Sequence, residues 1–145
     1  MGIRKANQQD LQLILSHSPI VMKEATVGYY SSYHKAVQFM NYLLDSGGYY
    51  LVYELDGRIQ GWIALGTNYN YYYDQMEGMI AELYVLPPYR NNGIAKKLCE
   101  EAVKQLKSSG YQKVQLNVFA GNNAKRLYKK LGFHEVSTLM EKNLY

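Results

Sequence analysis

The run Ile80-Ala81-Glu82-Leu83-Tyr84-Val85-Leu86-Pro87-Pro88-Tyr89-Arg90-Asn91-Asn92-Gly93-Ile94-Ala95-Lys96-Lys97-Leu98 predicts a strand, a tight turn and a helix in direct succession. Residues 79–86 are apolar apart from one acid, Glu82. After Gly93, the side chains Ile94, Ala95, Leu98, Cys99, Ala102, Val103 and Leu106 recur at helical spacing, and Gly110 follows as a C-cap. A helix mouth presents free backbone N–H groups and the positive end of its dipole. Small residues at Gly93 and Ala95 let that backbone approach an anion closely. The local physics therefore predicts a diphosphate seat at the end of a strand. Backbone N–H groups of Asn91, Asn92, Gly93, Ile94, Ala95 and Lys96 would be the donors, with Arg90 at its entrance.

The rest of the chain supplies the elements to carry such a seat. Residues 2–6 read as a strand, and Asp10 caps a helix through Leu11, Leu13, Ile14 and Leu15 that ends near Ser18-Pro19. Residues 33–44 place Val37, Met40, Leu43 and Leu44 at helical spacing, with Gly47-Gly48 as the stop. Two strands, 49–55 and 58–65, flank the hairpin signal Asp56-Gly57. Residues 66–78 read as a polar, tyrosine-rich connection. Beyond the helix of the motif, residues 113–119 alternate as a strand. A short helix then carries Ala124, Leu127, Tyr128 and Leu131, and residues 133–144 read as a final strand. The order βα(α)βββαβαβ predicts an α/β (α+β) fold: one mixed sheet, helices on both faces, and a single domain over residues 1–145.

The 145-residue length allows one domain with a core, and no apolar run is long enough to span a bilayer. The N-terminus shows no signal-peptide pattern, and Cys99 is the single cysteine, so a reducing cytoplasm is the expected compartment. One cysteine also makes an intrachain disulfide or a cysteine-held zinc ion unavailable. Residues 1–86 carry 5 Lys+Arg against 8 Asp+Glu, and residues 87–145 carry 11 against 4, giving −3 and +7. The basic half surrounds the predicted seat, which suits a polyanion. Most of its lysines also read as an ordinary solvated surface. Nucleic acid is not the expected partner, since no finger, basic zipper or RNP-type motif accompanies the charge.

The pattern Arg90-x-x-Gly93-x-Ala95 resembles the acetyl-CoA signature of the GNAT N-acetyltransferase superfamily. Asn122, Ala124, Tyr128, Gly132 and Phe133 resemble the family's closing motif, with Ala124 one place nearer the asparagine. Ile3-Arg4-Lys5-Ala6 with Asp10 resembles its opening strand and helix. The resemblance implies a mostly antiparallel central sheet that splays between its fourth and fifth strands. Acetyl-CoA would enter that gap as acyl donor and cosubstrate, with no metal. It further implies that the backbone of Leu83, Tyr84 and Val85 pairs with the pantetheine arm. One N–H there, at Leu83, would polarise the thioester, and Asn122 would touch the same arm. The implied activity is acetyl transfer to a primary amine, on a small molecule or a peptide, by direct attack in a ternary complex. A non-catalytic acyl-CoA sensor of the same fold is the alternative. Homodimers are common in the family.

Three side chains invite chemical roles. Glu82, an acid in an apolar strand, must be solvated, paired or functional. It reads as a general base, direct or through water, or as an anchor for a cationic acceptor, and equally as an outward-facing edge glutamate. Tyr128, matched to the family's catalytic tyrosine, reads as the acid that protonates the departing thiolate. A core tyrosine would read the same. Asn122 caps the short helix, binds the pantetheine arm, or does both. Cys99 lies on an apolar stripe and reads as core. His17, His34 and His134 are scattered and receive no role. The clusters Tyr29-Tyr30 with Tyr33 and residues 69–73 border the expected acceptor side, as cation-holding rings, a dimer contact or plain surface.

Overall fold

The computed structural model describes residues 2–145. Its strands are β1 (Gly2–Lys5), β2 (Tyr49–Leu55), β3 (Arg58–Asn70), β4 (Gln75–Val85) and β5 (Val114–Gln115). Its helices are α1 (Gln8–Ala25), α2 (Tyr33–Asp45), α3 (Ile94–Ser108) and α4 (Ala124–Lys130). The strands lie side by side in chain order, antiparallel except for the parallel pair β4–β5. Asp56 and Gly57, both at positive φ (53° and 74°), form the tight β2–β3 turn that their sequence predicts.

Alternation along the strands divides the core in two. Leu51, Tyr53, Ile63, Leu65 and Ile80 pack against Ile94, Leu98, Cys99, Ala102 and Leu106 of α3. On the other face, Tyr50, Val52, Trp62, Ala64 and Tyr84 pack against Ile14 and Val21 of α1 and Met40 and Leu43 of α2. α4 brings Tyr128 to the α3 side, and Leu131 and Phe133 just beyond its end pack there too. Helices thus cover both faces, as the element order requires.

One irregularity sets up the site. Ala64 lies opposite Glu82 while Leu65 lies opposite Ile80, so Ala81 is an extra residue in β4. A bulge of one residue reverses which face each later side chain meets. Ile80 packs with the α3 cluster, and after the bulge so do Leu83 and Val85. Glu82 and Tyr84 are thereby turned to the face of α1 and α2. The backbone reverses with them. The Gly78 N–H donates to Lys113 O, toward β5, whereas the Leu86 N–H donates to Gln60 O, toward β3. By alternation, the N–H groups of Leu83 and Val85 point away from β3.

That direction is open. β5 pairs with β4 only at Gly78↔Val114 and Met79↔Gln115, so residues 80–85 have no strand on their outer side among the described residues. The splay between the fourth and fifth strands is present.

Several elements differ from their sequence reading. α1 does not end at Ser18-Pro19 but continues to Ala25, because buried Ser18 and Val21 keep its core face intact around the proline. Residues 66–78 are not a loose connection. β3 and β4 extend through Asn70↔Gln75, leaving a turn of Tyr71, Tyr72, Tyr73 and Asp74. The strand expected over 113–119 shortens to Val114–Gln115, and residues 133–144 form no strand. A ladder of two pairs offers no long edge to template another strand. The apolar side chains of that final segment, Val136, Leu139, Met140 and Leu144, stay exposed.

Gly48 shows how closely β2 is set against α2. A Cβ there would lie 2.7 Å from Leu43 Cγ and from Leu65 O. Gly48→Ala is therefore expected to destabilise the fold by about 1–3 kcal/mol, read as a fall in Tm, since backbone on both sides must shift.

Candidate active site

The strand, turn and helix predicted over residues 80–98 are present. A short 3-10 turn, Pro87–Tyr89, follows β4, and the Arg90 N–H closes it on Pro87 O. Asn91 (φ 66°) and Gly93 (φ 76°) both occupy the left-handed region, which swings the chain into α3. The first helical donor is the Lys97 N–H, to Gly93 O, and no side chain caps the helix. The N–H groups of Ile94, Ala95 and Lys96 are thus unpaired at the positive end of a 15-residue helix. Nothing lies within 4 Å of the place where a Gly93 side chain would start. The Asn92 amide donates to Tyr89 O and Arg90 O, at 3.0 and 3.3 Å, and holds the turn in this shape.

Arg90 sits at the entrance but faces the protein. Its Nε donates to Val85 O at 2.8 Å, its Nη2 to Glu24 at 2.9 Å, and its guanidinium centre lies 5.1 Å from the Tyr84 ring. It ties the end of β4 to the end of α1, and Glu24 offsets much of its charge. Glu24 lies far away in sequence and had no signal there.

Glu82 lies at the middle of the open edge, on the α1/α2 face. Trp62 is fully buried on β3, and its indole N–H donates to Glu82 Oε2 at 2.8 Å. The other oxygen, Oε1, has no hydrogen-bond partner among the described residues and keeps contact with solvent. Burial of the carboxyl raises its pKa above the usual glutamate value, and the Trp62 hydrogen bond pulls the opposite way. Buried Tyr50 stands close by, and its phenol is pushed up by burial and by the Glu82 charge. The Glu82 carboxyl is thus desolvated and held through one oxygen. Neither Trp62 nor Tyr50 stands out in the sequence, because only the β2–β3–β4 pairing and the bulge bring them to Glu82.

Tyr128 packs on the α3 side, its ring edge-on to Phe133 at 5.9 Å between centroids. Burial raises its pKa, and neighbouring Cys99 adds to the rise. Cys99 is fully buried with its thiol pushed up to about 12, which suits core rather than nucleophile. Asn122 accepts from the Ala124 N–H and donates to Ala25 O, pinning the start of α4 to the end of α1. Its amide is engaged by the protein at both ends. Asn117 and all three tyrosines of the first cluster are exposed, and Tyr29 donates to Glu141 at 2.8 Å. A shallow hollow of about 450 Å³ borders Arg4 and Glu54 at the far edge of the sheet. The arginine there is already paired with Asp10 and Glu54.

A helix mouth with free N–H groups is thus joined by a tight turn to a strand edge that has no partner among the described residues. The model of the acetyltransferase (GNAT) family matches residues 17–133. The chain belongs to the GNAT family.

Among its GNAT relatives, an uncharacterised N-acetyltransferase of Bacillus subtilis, YycN, is 33% identical over 87 residues, 59% of this chain and 54% of that one. The ribosomal protein bS18 alanine N-acetyltransferase of Haemophilus influenzae is 38% identical over 69 residues, 48% of this chain and 46% of the other. An N-alpha-acetyltransferase of Sulfurisphaera tokodaii is 28% identical over 145 residues, 94% of this chain and 82% of that one. The match thus spans about half the length of the first two relatives. Among solved structures, an acetyltransferase of Clostridium acetobutylicum determined with acetyl-CoA shares the fold, with a TM-score of 0.75 and 23% identity. The match covers 98% of this chain and 95% of that one. No group of three or more His, Cys, Asp or Glu suited to a metal ion occurs among the described residues, and no helix is long and apolar enough to cross a membrane.

Proposed function

We propose that this GNAT protein moves the acetyl group of acetyl-CoA to a primary amine by direct attack, with both substrates bound together. The observation that carries the reading is the place of the open β4 edge. It carries Glu82, leads through the turn at residues 87–93 to the free N-terminus of α3, and has the Leu83 N–H directed away from β3. The diphosphate would rest on the N–H groups of residues 91–96. The pantetheine arm would complete the edge of β4 at Leu83, Tyr84 and Val85, as a missing strand would, and pass Asn122 and Tyr128.

The chemistry follows from those positions. The amine nitrogen bonds to the thioester carbon, and the Leu83 N–H stabilises the oxygen that becomes negative, a contribution of ~10²–10³ in rate for such a donor. Glu82, or a water held by its Oε1, takes the proton that the ammonium must lose. The carbonyl re-forms as the carbon–sulfur bond breaks, Tyr128 protonates the thiolate, and the second proton of the nitrogen, passed through water, restores the phenol.

For the acceptor we favour the N-terminal amine of a polypeptide. Two of the relatives named above are, by name, a ribosomal protein bS18 alanine N-acetyltransferase and an N-alpha-acetyltransferase. The Glu82 carboxyl, with the rings of Trp62, Tyr50 and Tyr84 grouped around it, suits an ammonium group.

Thiol release from acetyl-CoA, measured against peptides with free N-termini, lysine peptides, polyamines, aminoglycosides and amino acids, tests both parts. Turnover with free N-terminal peptides supports the full reading. Turnover with another class alone overturns the acceptor, and no release with any amine overturns the transfer. Arg90→Glu should weaken acetyl-CoA binding by about tenfold, the worth of one charge-assisted hydrogen bond, because it sets a like charge beside Glu24 and frees the turn. Equal affinity by calorimetry would remove Arg90 from the seat.

A further inference from the structure

We propose that Trp62 is a positioning residue for acetyl transfer, its indole N–H holding one oxygen of Glu82 so that the other faces the incoming amine. The inference rests on Glu82 acting in the reaction as described above. It goes further, in giving the general base a fixed direction and a named partner.

The geometry leaves Glu82 little choice. A glutamate has three rotatable bonds, and a carboxyl at the open edge of a strand would sample many directions. Here the only side chain that bonds it, among the described residues, is Trp62, at 2.8 Å. Trp62 is itself immobile. It is fully buried, lies edge-on to His17 of α1 at 5.8 Å, and packs against the ring of Tyr84 at 5.3 Å. The bond therefore transmits the rigidity of the core to one carboxyl oxygen. An indole N–H donates and cannot accept, so it favours the charged form of Glu82 and leaves Oε1 as the basic atom. In the step concerned, the ammonium N–H bond breaks, its proton joins Oε1, and the freed electron pair forms the bond to the acetyl carbon.

The groups around this pair are few. β2 contributes Tyr50, β4 contributes Tyr84, the turn after it contributes Arg90, and α1 contributes His17 and Glu24. α2 contributes Ala36, Met40 and Leu43 to its buried face, none of which titrates.

Trp62 is the only tryptophan in the chain, so its fluorescence reports the state of its partner without any acceptor amine. The first measurement is a pH titration of that fluorescence in the wild type, in Glu82→Gln and in His17→Gln. The inference expects a transition that Glu82→Gln abolishes and His17→Gln retains. If every transition of the wild type survives Glu82→Gln, or the wild type shows none, the coupling is overturned.

The second measurement is the pH profile of kcat/KM for acetyl-CoA and a peptide amine. Trp62→Phe should move the acid limb up by about one pH unit and lower kcat near neutrality about tenfold, with KM little changed. The ring swap opens a cavity, so benzothienylalanine at position 62, which keeps the volume and lacks the N–H, provides a second variant. It should show the same shift. An unmoved acid limb in this variant overturns the positioning role. If Glu82→Gln itself leaves turnover intact, the base assignment fails instead, and the two failures are thereby told apart.

Discussion

Tyr128→Phe is expected to lower kcat by ~10²-fold or more while leaving the Kd for acetyl-CoA unchanged, the pattern of an acid needed only when the thiolate leaves. The raised pKa of Tyr128 bears on this in two ways. It keeps the phenol protonated throughout the neutral range. It also makes the phenol a weaker acid, which for a thiolate of ordinary basicity would be a handicap. An unshifted phenol near ~10 already gives up its proton to a thiolate near ~8.5 at a cost of about 2 kcal/mol. Neighbouring Cys99 shows why the handicap is not decisive. In the same apolar surroundings its thiol is pushed up to about 12. A coenzyme A thiolate released beside it would be made more basic by the same desolvation, so donor and acceptor rise together. The basic limb of kcat should accordingly lie above the range of a free phenol. Thiol release under saturating acetyl-CoA, with calorimetry on the same variant, measures both quantities. Undiminished kcat in Tyr128→Phe would leave the tyrosine as packing against Phe133.

The strand, the turn and the helix of the motif were legible in the sequence because they are local. A strand, a left-handed glycine and an amphipathic helix follow one another within residues 80–98, and each is specified by its own residues. The splay was legible only through the family resemblance. No local pattern announces that β5 will pair at two positions and then part from β4. The bulge at Ala81 was hidden for a related reason. It depends on the register of β3 against β4, and an apolar strand reads alike with or without an extra residue. Yet the bulge decides that Glu82 faces Trp62 and Tyr50 rather than α3. The failed readings were those resting on a local signal that tertiary packing overrode. Pro19 failed to end α1 because the core face of the helix runs past it. The final strand failed because β5, paired with β4 at two positions only, offers residues 133–144 no long edge.

Glu82→Gln should move turnover and stability in opposite directions. Loss of a general base lowers kcat by ~10²–10⁴. The fold, by contrast, should gain. Burial raises the pKa of Glu82 in the folded protein above its unfolded value, so the folded state holds that proton more tightly. Its contribution to stability is then fully present below the pKa of an unfolded glutamate, near ~4.3, and is lost as pH rises through the folded value. At neutral pH the ionised carboxyl is a cost, only partly relieved by the Trp62 hydrogen bond. Glutamine removes the charge and can still accept from the indole N–H through its amide oxygen. The Tm of Glu82→Gln should therefore exceed that of the wild type at pH 7, and the difference should close as the pH is lowered into the acid range. A Tm below wild type at pH 7 would mean that the charged carboxyl is better solvated than its burial implies. The rise in pKa would then be smaller, and with it the basis for a base tuned toward neutrality. A higher Tm with turnover lost would identify Glu82 as a residue that the fold retains at its own expense for the sake of the reaction.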